Sequence, residues 1–426
     1  MIIHVVTPGE TLTGIAERYN APLNNFLADN GLSLSSKAVV GQALLILEPE
    51  TVHTVTAGNT LSGIAASYGV TINELLRNNY FLKGSTQIRP GQIIVIKYRN
   101  QNKQKSFITN GYAYPFISRD LLIQQLPYMT YQTPFTYGIQ ENGSLVDLKN
   151  DGWMIEAARN MGVKSLMHLS TLTEYGNFSS DRASLVFSDS AVQERLIDET
   201  VRNMQTKGYD GLDIDFEFIY PEEKFEYVIF LQNMFRAINP LGYPLFSALA
   251  PKVSDTQAGT LYEGHDYNAI AASVDKVLLM TYEWGYTYSQ PMAVAPINKV
   301  EEVIRYGLTR IPASKILMGI PTYGYDWPLP YEQGVTKATS LSPVECIRLA
   351  ERYNAEINYD QTAQTPWFRY TNEDGRLHEV WFEDVRSIEA KLSLAARYNL
   401  AGLGYWNLMR EFPQNLVLLN NKYNIV

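Results

Sequence analysis

The chain has 426 residues, of which 46% are apolar and 19% charged, enough to bury a sizeable core and far from the composition of a disordered chain. Its net charge of −9, without a lysine–arginine cluster, excludes nucleic acid held by phosphate neutralisation and an anionic membrane surface as partners. Cys346 is the single cysteine, which excludes an intrachain disulfide and a cysteine zinc cluster, and no stretch approaches the length of a membrane-spanning helix.

Met1-Ile2-Ile3 runs straight into a repeat, with neither a charged n-region nor an apolar h-region, so export by an ordinary signal peptide is not expected. His4-Val5-Val6-Thr7-Pro8-Gly9-Glu10-Thr11-Leu12 returns 49 positions later as His53-Thr54-Val55-Thr56-Ala57-Gly58-Asn59-Thr60-Leu61. Ile15, Ala16, Tyr19, Asn24 and Asn30 return at the same spacing as Ile64, Ala65, Tyr68, Asn73 and Asn79. After a one-residue insertion, Val40-Gly41-Gln42 is matched by Pro90-Gly91-Gln92, each followed by an apolar run. A unit therefore opens and closes with a strand. Between the strands, Thr11 and Thr60 are predicted helix N-caps, because Leu12, Ile15, Ala16 and Tyr19 share one helical face. A second short helix follows in each unit, giving small βααβ domains over 1–48 and 51–98.

Tyr98 to Lys105 is polar and reads as a linker into a third domain over 104–426. There, apolar runs recur at Phe107–Tyr114, Phe135–Ile139, Val163–Leu169, Gly211–Phe216, Leu245–Ala250, Lys276–Thr281, Ile316–Pro321 and Gly402–Tyr405. Alternating strands and helices over about 320 residues predict parallel βα units, and eight strands predict an α/β fold of the closed (β/α)8 TIM-barrel type. The interval between Pro321 and Gly402 predicts an insertion after the seventh strand, with a hairpin around Asp374-Gly375.

Chemistry concentrates on the fourth run, Asp210-Gly211-Leu212-Asp213-Ile214-Asp215-Phe216-Glu217. Alternation along a strand points Asp213, Asp215 and Glu217 one way and Leu212, Ile214, Phe216 and Phe218 the other. Three acids inside a barrel cannot all ionise cheaply, so a proton is retained or shared. Glu217, nearest the mouth, is placed to donate it, while Asp215 and Asp213 accept hydrogen bonds or protons behind it. A strand with one solvated face shows the same alternation, and metal binding is a third reading. A barrel strand between helices has no solvated face, however, and no histidine lies close in sequence to complete a metal set.

The two N-terminal units resemble LysM modules, which bind N-acetylglucosamine-containing glycans such as peptidoglycan and chitin. The run Asp210 to Glu217 resembles the Asp-Gly-x-Asp-x-Asp-x-Glu signature of glycoside hydrolase family 18, the chitinase-like barrels. Met280-Thr281-Tyr282-Glu283, Gly319-Ile320-Pro321-Thr322-Tyr323-Gly324 and Gly404-Tyr405-Trp406 are similar to the family's motifs at the sixth, seventh and eighth strand ends. Two departures stand out: Met167-His168-Leu169-Ser170 replaces a Ser-x-Gly-Gly motif, and Glu283 replaces an aspartate.

The resemblance implies a retaining glycosidase in which the substrate's own acetamide attacks the anomeric carbon. It implies catalytic roles for Glu217, Asp215, Asp213 and Tyr282, and substrate binding by Trp406, Glu283, Tyr323 and Asp210. No cofactor and no metal are implied. Tandem LysM modules before such a barrel resemble the cortex-lytic N-acetylglucosaminidases of bacterial spores. That implies a monomer bound to peptidoglycan in the spore coat, cortex or cell wall, with residues 1–98 a removable anchor. A chitinase and a glycan-binding coat protein without activity are the rival expectations.

Overall fold

The computed structural model describes residues 1–99, 101, 103 and 105–426; positions 100, 102 and 104, within the predicted linker, lie outside the described residues. Each N-terminal unit forms the expected antiparallel strand pair, Ile2–Val5 with Ala43–Ile46 and Pro49–Thr54 with Ile93–Tyr98. The helices between begin where the sequence places them. Thr11 Oγ1 accepts the N–H of Gly14 at 3.1 Å, and Thr60 Oγ1 accepts that of Gly63 at the same distance. Those caps satisfy amides that a helix's first turn leaves without carbonyls.

Eight of the described strands are parallel and close on themselves: Ser106–Ala113, Tyr131–Pro134, Lys164–Ser170, Gly211–Asp215, Leu245–Leu249, Lys276–Leu279, Ile316–Pro321 and Gly402–Trp406, the last pairing with the first. This is a (β/α)8 barrel. The second strand differs from the sequence reading, lying at Tyr131–Pro134, whereas Gly138–Ile139 pairs with Leu145–Val146 in a separate hairpin. The reason is polarity. Gln132 Nε2 donates to Ser165 Oγ at 2.9 Å and Thr133 Oγ1 donates to Asn110 Oδ1 at 2.7 Å, so this strand stays buried through hydrogen bonds rather than aliphatic side chains. Phe218 also departs from expectation: it is 41% exposed, because the strand ends at Asp215 and alternation stops there.

The insertion after the seventh strand is a five-stranded antiparallel sheet with the helix Pro343–Arg352. Its strands Thr365–Thr371 and Leu377–Trp381 form the predicted hairpin.

The N-terminal units pack directly against the barrel. Leu45, Leu47, Tyr80, Val95 and Tyr98 belong to the same apolar core as barrel residues Phe107, Leu122 and Tyr128. Every residue from Pro413 to Asn421 of the C-terminal helix is buried, because the helix lies between barrel and modules. Gln414 Nε2 donates to Asn30 Oδ1 and to the Ala43 carbonyl, both at 2.8 Å, and Asn420 Nδ2 donates to Asn78 Oδ1 at 2.9 Å. The first unit also grips the insertion. Val39 joins the core that holds Cys346 and Phe368, and the Ile357 N–H donates to the Val40 carbonyl at 2.9 Å. Gly41 makes that approach possible, since a Cβ there would fall 1.9 Å from the Ile357 carbonyl oxygen and its φ of +83° suits glycine.

Candidate active site

A pocket of about 500 Å³ opens at the C-terminal ends of the barrel strands. Asp215, Glu217, Tyr282, Glu283 and Trp406 all line it. The reason is topological: each follows or ends a parallel strand, and parallel strands deliver such residues to one end of the barrel. Asp213 lies one step below Asp215, fully enclosed, and its Oδ2 accepts the Tyr112 hydroxyl at 2.7 Å. Leu212, Ile214 and Phe216 pack outward into the core shared with the helices, as alternation requires.

Burial governs the protonation of this row. It raises Asp213 to about 6, against the opposing influence of His168 and the Tyr112 hydroxyl. Burial likewise raises Asp215 to about 7. Glu217 goes up to about 8, through burial first and then the negative charges of Asp215 and Glu283. The outermost carboxyl therefore keeps its proton at neutral pH. A carboxylic acid at the mouth of a pocket, with ionisable carboxylates behind it, is what protonation of a leaving oxygen needs.

Around the acid, Tyr282 reaches into the pocket across Gly319, where a Cβ would lie 2.7 Å from the tyrosine Cε1. Glu283 sits at a left-handed φ of +67°, and its Oε1 accepts the hydroxyls of Tyr323 and, at 3.4 Å, Tyr325. Burial raises its pKa, against those two hydrogen bonds. Trp406 forms an aromatic wall with Phe135, 4.9 Å away at 66°, and Tyr114, 6.2 Å away at 65°. Such a surface offers the flat apolar face on which a sugar ring stacks.

Two residues expected to bind substrate are not brought to the pocket wall. Tyr323 is buried, and its hydroxyl is taken by Glu283. Asp210 precedes the fourth strand, at the opposite end of the barrel, where its Oδ2 accepts the Ser165 N–H at 2.8 Å. The extended run Gly211–Asp215 sets the first residue of the signature and its last a strand's length apart.

The structure also assembles residues the sequence reading passed over. Tyr112 and Tyr114 come from the end of the first strand and Phe135 from just beyond the second; the apolar runs Phe107–Tyr114 and Phe135–Ile139 mark them as strand residues but not as pocket residues. His168, which the sequence marks only as part of the segment replacing a Ser-x-Gly-Gly motif, joins them. No histidine is near the acids in sequence, yet strand pairing sets His168 directly opposite Asp213. Among the described residues, no group of three or more histidine, cysteine or acidic side chains is arranged to hold a metal ion.

The family model described as Glycosyl hydrolases family 18 matches residues 98–411, and that of the LysM domain matches 4–46 and 53–97. The chain is 41% identical over 434 residues to the Cortical fragment-lytic enzyme of Bacillus subtilis (strain 168), spanning 100% of this chain and 99% of that protein. The crystal structure of the Bacillus cereus spore cortex-lytic enzyme SleL matches with a TM-score of 0.85 at 33% identity, over 100% of this chain and 98% of that one. The chitinase from Chromobacterium violaceum ATCC 12472 matches at 25% identity and a TM-score of 0.68, over 74% of this chain and 98% of that one. The chain belongs to glycosyl hydrolases family 18, with two LysM domains ahead of the barrel.

Proposed function

We propose that the protein is a retaining β-N-acetylglucosaminidase that cuts spore cortex peptidoglycan fragments, with the LysM modules of 1–48 and 51–98 engaging the glycan and the barrel of 104–426 cleaving it. The observation that carries this reading is Glu217: a carboxyl pushed up to about 8 at the rim of a pocket, with Asp215 beside it and Trp406 lining the wall. The full-length similarity to enzymes named for cortex lysis supports the choice of substrate.

In this mechanism Glu217 gives its proton to the glycosidic oxygen while the acetamido carbonyl of the substrate attacks the anomeric carbon. Asp215 orients the acetamide and stabilises the positive charge developing on it, Tyr282 hydrogen-bonds it, and Trp406 stacks beneath the ring. Asp213 accepts or returns a proton below. Glu217 then takes a proton from water, which opens the intermediate, and configuration is retained through two displacements. A muramic lactam ties its nitrogen into a ring and offers no acetamide to attack. The bond cut therefore does not follow a lactam, and in this reading it follows N-acetylglucosamine.

Digestion of purified cortex fragments, with mass analysis of the products and chitin oligomers in parallel, tests the reading. Products with N-acetylglucosamine at the new reducing end support it. Cleavage of chitin oligomers alone moves the assignment to a chitinase, and no cleavage of either moves it to a glycan-binding coat protein.

A further inference from the structure

Beneath the acid row stands a base that the reaction above leaves unused. His168 is 1% exposed, and its Nε2 lies 3.6 Å from Asp215 Oδ2 and 4.0 Å from Asp213 Oδ2. Among the described residues it is the basic side chain within 4.0 Å of either carboxylate. The other titratable groups facing the pair are all phenols or carboxyls: Tyr112 from the first strand, Glu217 from the fourth, Tyr282 and Glu283 after the sixth, and Tyr227 from helix Lys224–Ile238. The Oδ1 atoms of both aspartates are buried without a hydrogen-bond partner. Few donors stabilise negative charge here, so each one matters.

The far side of the imidazole decides which nitrogen carries the proton. Nδ1 lies 2.6 Å from Thr136 Oγ1, closer than that hydroxyl's other contacts with the Ser170 Oγ at 2.9 Å and the Tyr137 carbonyl at 3.0 Å. A hydroxyl has one proton to give: given to Nδ1, its shortest contact, it leaves the ring N–H on Nε2, on the side of the aspartates, whereas given to Ser170 or to the Tyr137 carbonyl it would accept from Nδ1–H. Phe135, 4.6 Å away at 38°, and Tyr112, 5.7 Å away at 89°, hold the ring in that orientation. Burial lowers the imidazole to about 4, so the ring stands beside the carboxylates uncharged, with Nε2 3.6 Å from Asp215 and 4.0 Å from Asp213.

We propose that His168 is a positioning residue whose Nε2–H, turned toward the acid row by Thr136, favours the ionised forms of Asp213 and Asp215 and so biases the proton of the row toward Glu217. The inference deepens the glycosidase reading and rests on it for its kinetic consequence. Its geometric core does not.

The first experiment is nitrogen NMR of the full-length protein carrying ¹⁵N-histidine, with the His168 signals assigned by their loss in His168→Gln. The expected result is a neutral ring with the proton on Nε2 throughout the range from mildly acid to mildly alkaline pH. An Nδ1–H tautomer, or an imidazolium within that range, overturns the proposal.

The second compares kcat/KM against pH for two variants. Glutamine carries its amide nitrogen near the former Nε2 position, whereas asparagine reaches only as far as Nδ1. His168→Gln is expected to keep the acid limb, and His168→Asn to move it up by about one pH unit, a ~10-fold loss of the ionised pair on that limb, with KM little changed. Coincident acid limbs in wild type and His168→Asn overturn the proposal, and if His168→Asn does not fold, the tautomer measurement alone decides. Failure of the parent reading looks different: Glu217→Gln would then retain full activity, whatever the state of the imidazole.

Discussion

Replacing Glu217 by glutamine keeps the shape of the side chain and removes the proton it gives. At pH 7, a carboxyl raised to about 8 is protonated in roughly nine molecules of ten, whereas one at the ordinary 4.5 is protonated in about one of 300. The pocket thus multiplies the available acid by about 300, through burial and the charges of Asp215 and Glu283. Loss of a general acid typically costs about 10²–10⁴-fold, or ~2.7–5.4 kcal/mol of transition-state stabilisation. The assay is single-turnover cleavage of two substrates: an unmodified N-acetylglucosaminide, and an aryl glycoside whose leaving group departs with little protonation. Glu217→Gln should lose the full factor on the first and much less on release of the aryl group. Equal losses on both substrates, or less than tenfold on the unmodified one, would refute Glu217 as the acid.

Two further predictions concern stability. Asp29 is 4% exposed and burial raises it to about 8, so its contribution is complete below its ordinary value of 3.8 and lost as pH rises toward 8. Asp29→Asn should therefore stabilise the fold at pH 7 by on the order of 2–4 kcal/mol and hardly at all at pH 4, as read from denaturant midpoints at both pH values; an effect equal at the two would contradict this. Deleting residues 1–98 exposes Tyr128, which packs on Tyr80 at 6.3 Å, and one side of the helix Pro413–Lys422. The remaining barrel should lose several kcal/mol, at about 2 °C of melting temperature per kcal/mol, so its activity on small soluble substrates should fail at lower temperature than that of the full chain; an unchanged melting curve would show the modules to be independent.

Local periodicity in this chain reports which side of an element is buried. The repeat from His4 to His53 announces two like units, and Leu12, Ile15 and Ala16 do occupy the inner face of the first helix. Alternation from Leu212 to Asp215 puts the aspartates inside the barrel and the apolar residues outside, and Glu217 and Trp406 sit at strand ends by the same logic. Where a buried strand is polar, as at Gln132-Thr133, the signal vanishes and the apolar Phe135 beyond it draws the assignment away.

What an element is buried against depends on register and packing, which join residues far apart in the chain. His168 meets Asp213 because the third and fourth strands align in one register, and a shift of one residue would turn it to the other face. The docking of the modules rests on pairs such as Asn30 with Gln414, whose partners are separated by 384 residues. Residue types and their spacing determined the fold and the acid; tertiary structure decided which base stands behind the acid and which surfaces pack against one another, because those contacts form only after the chain has closed on itself.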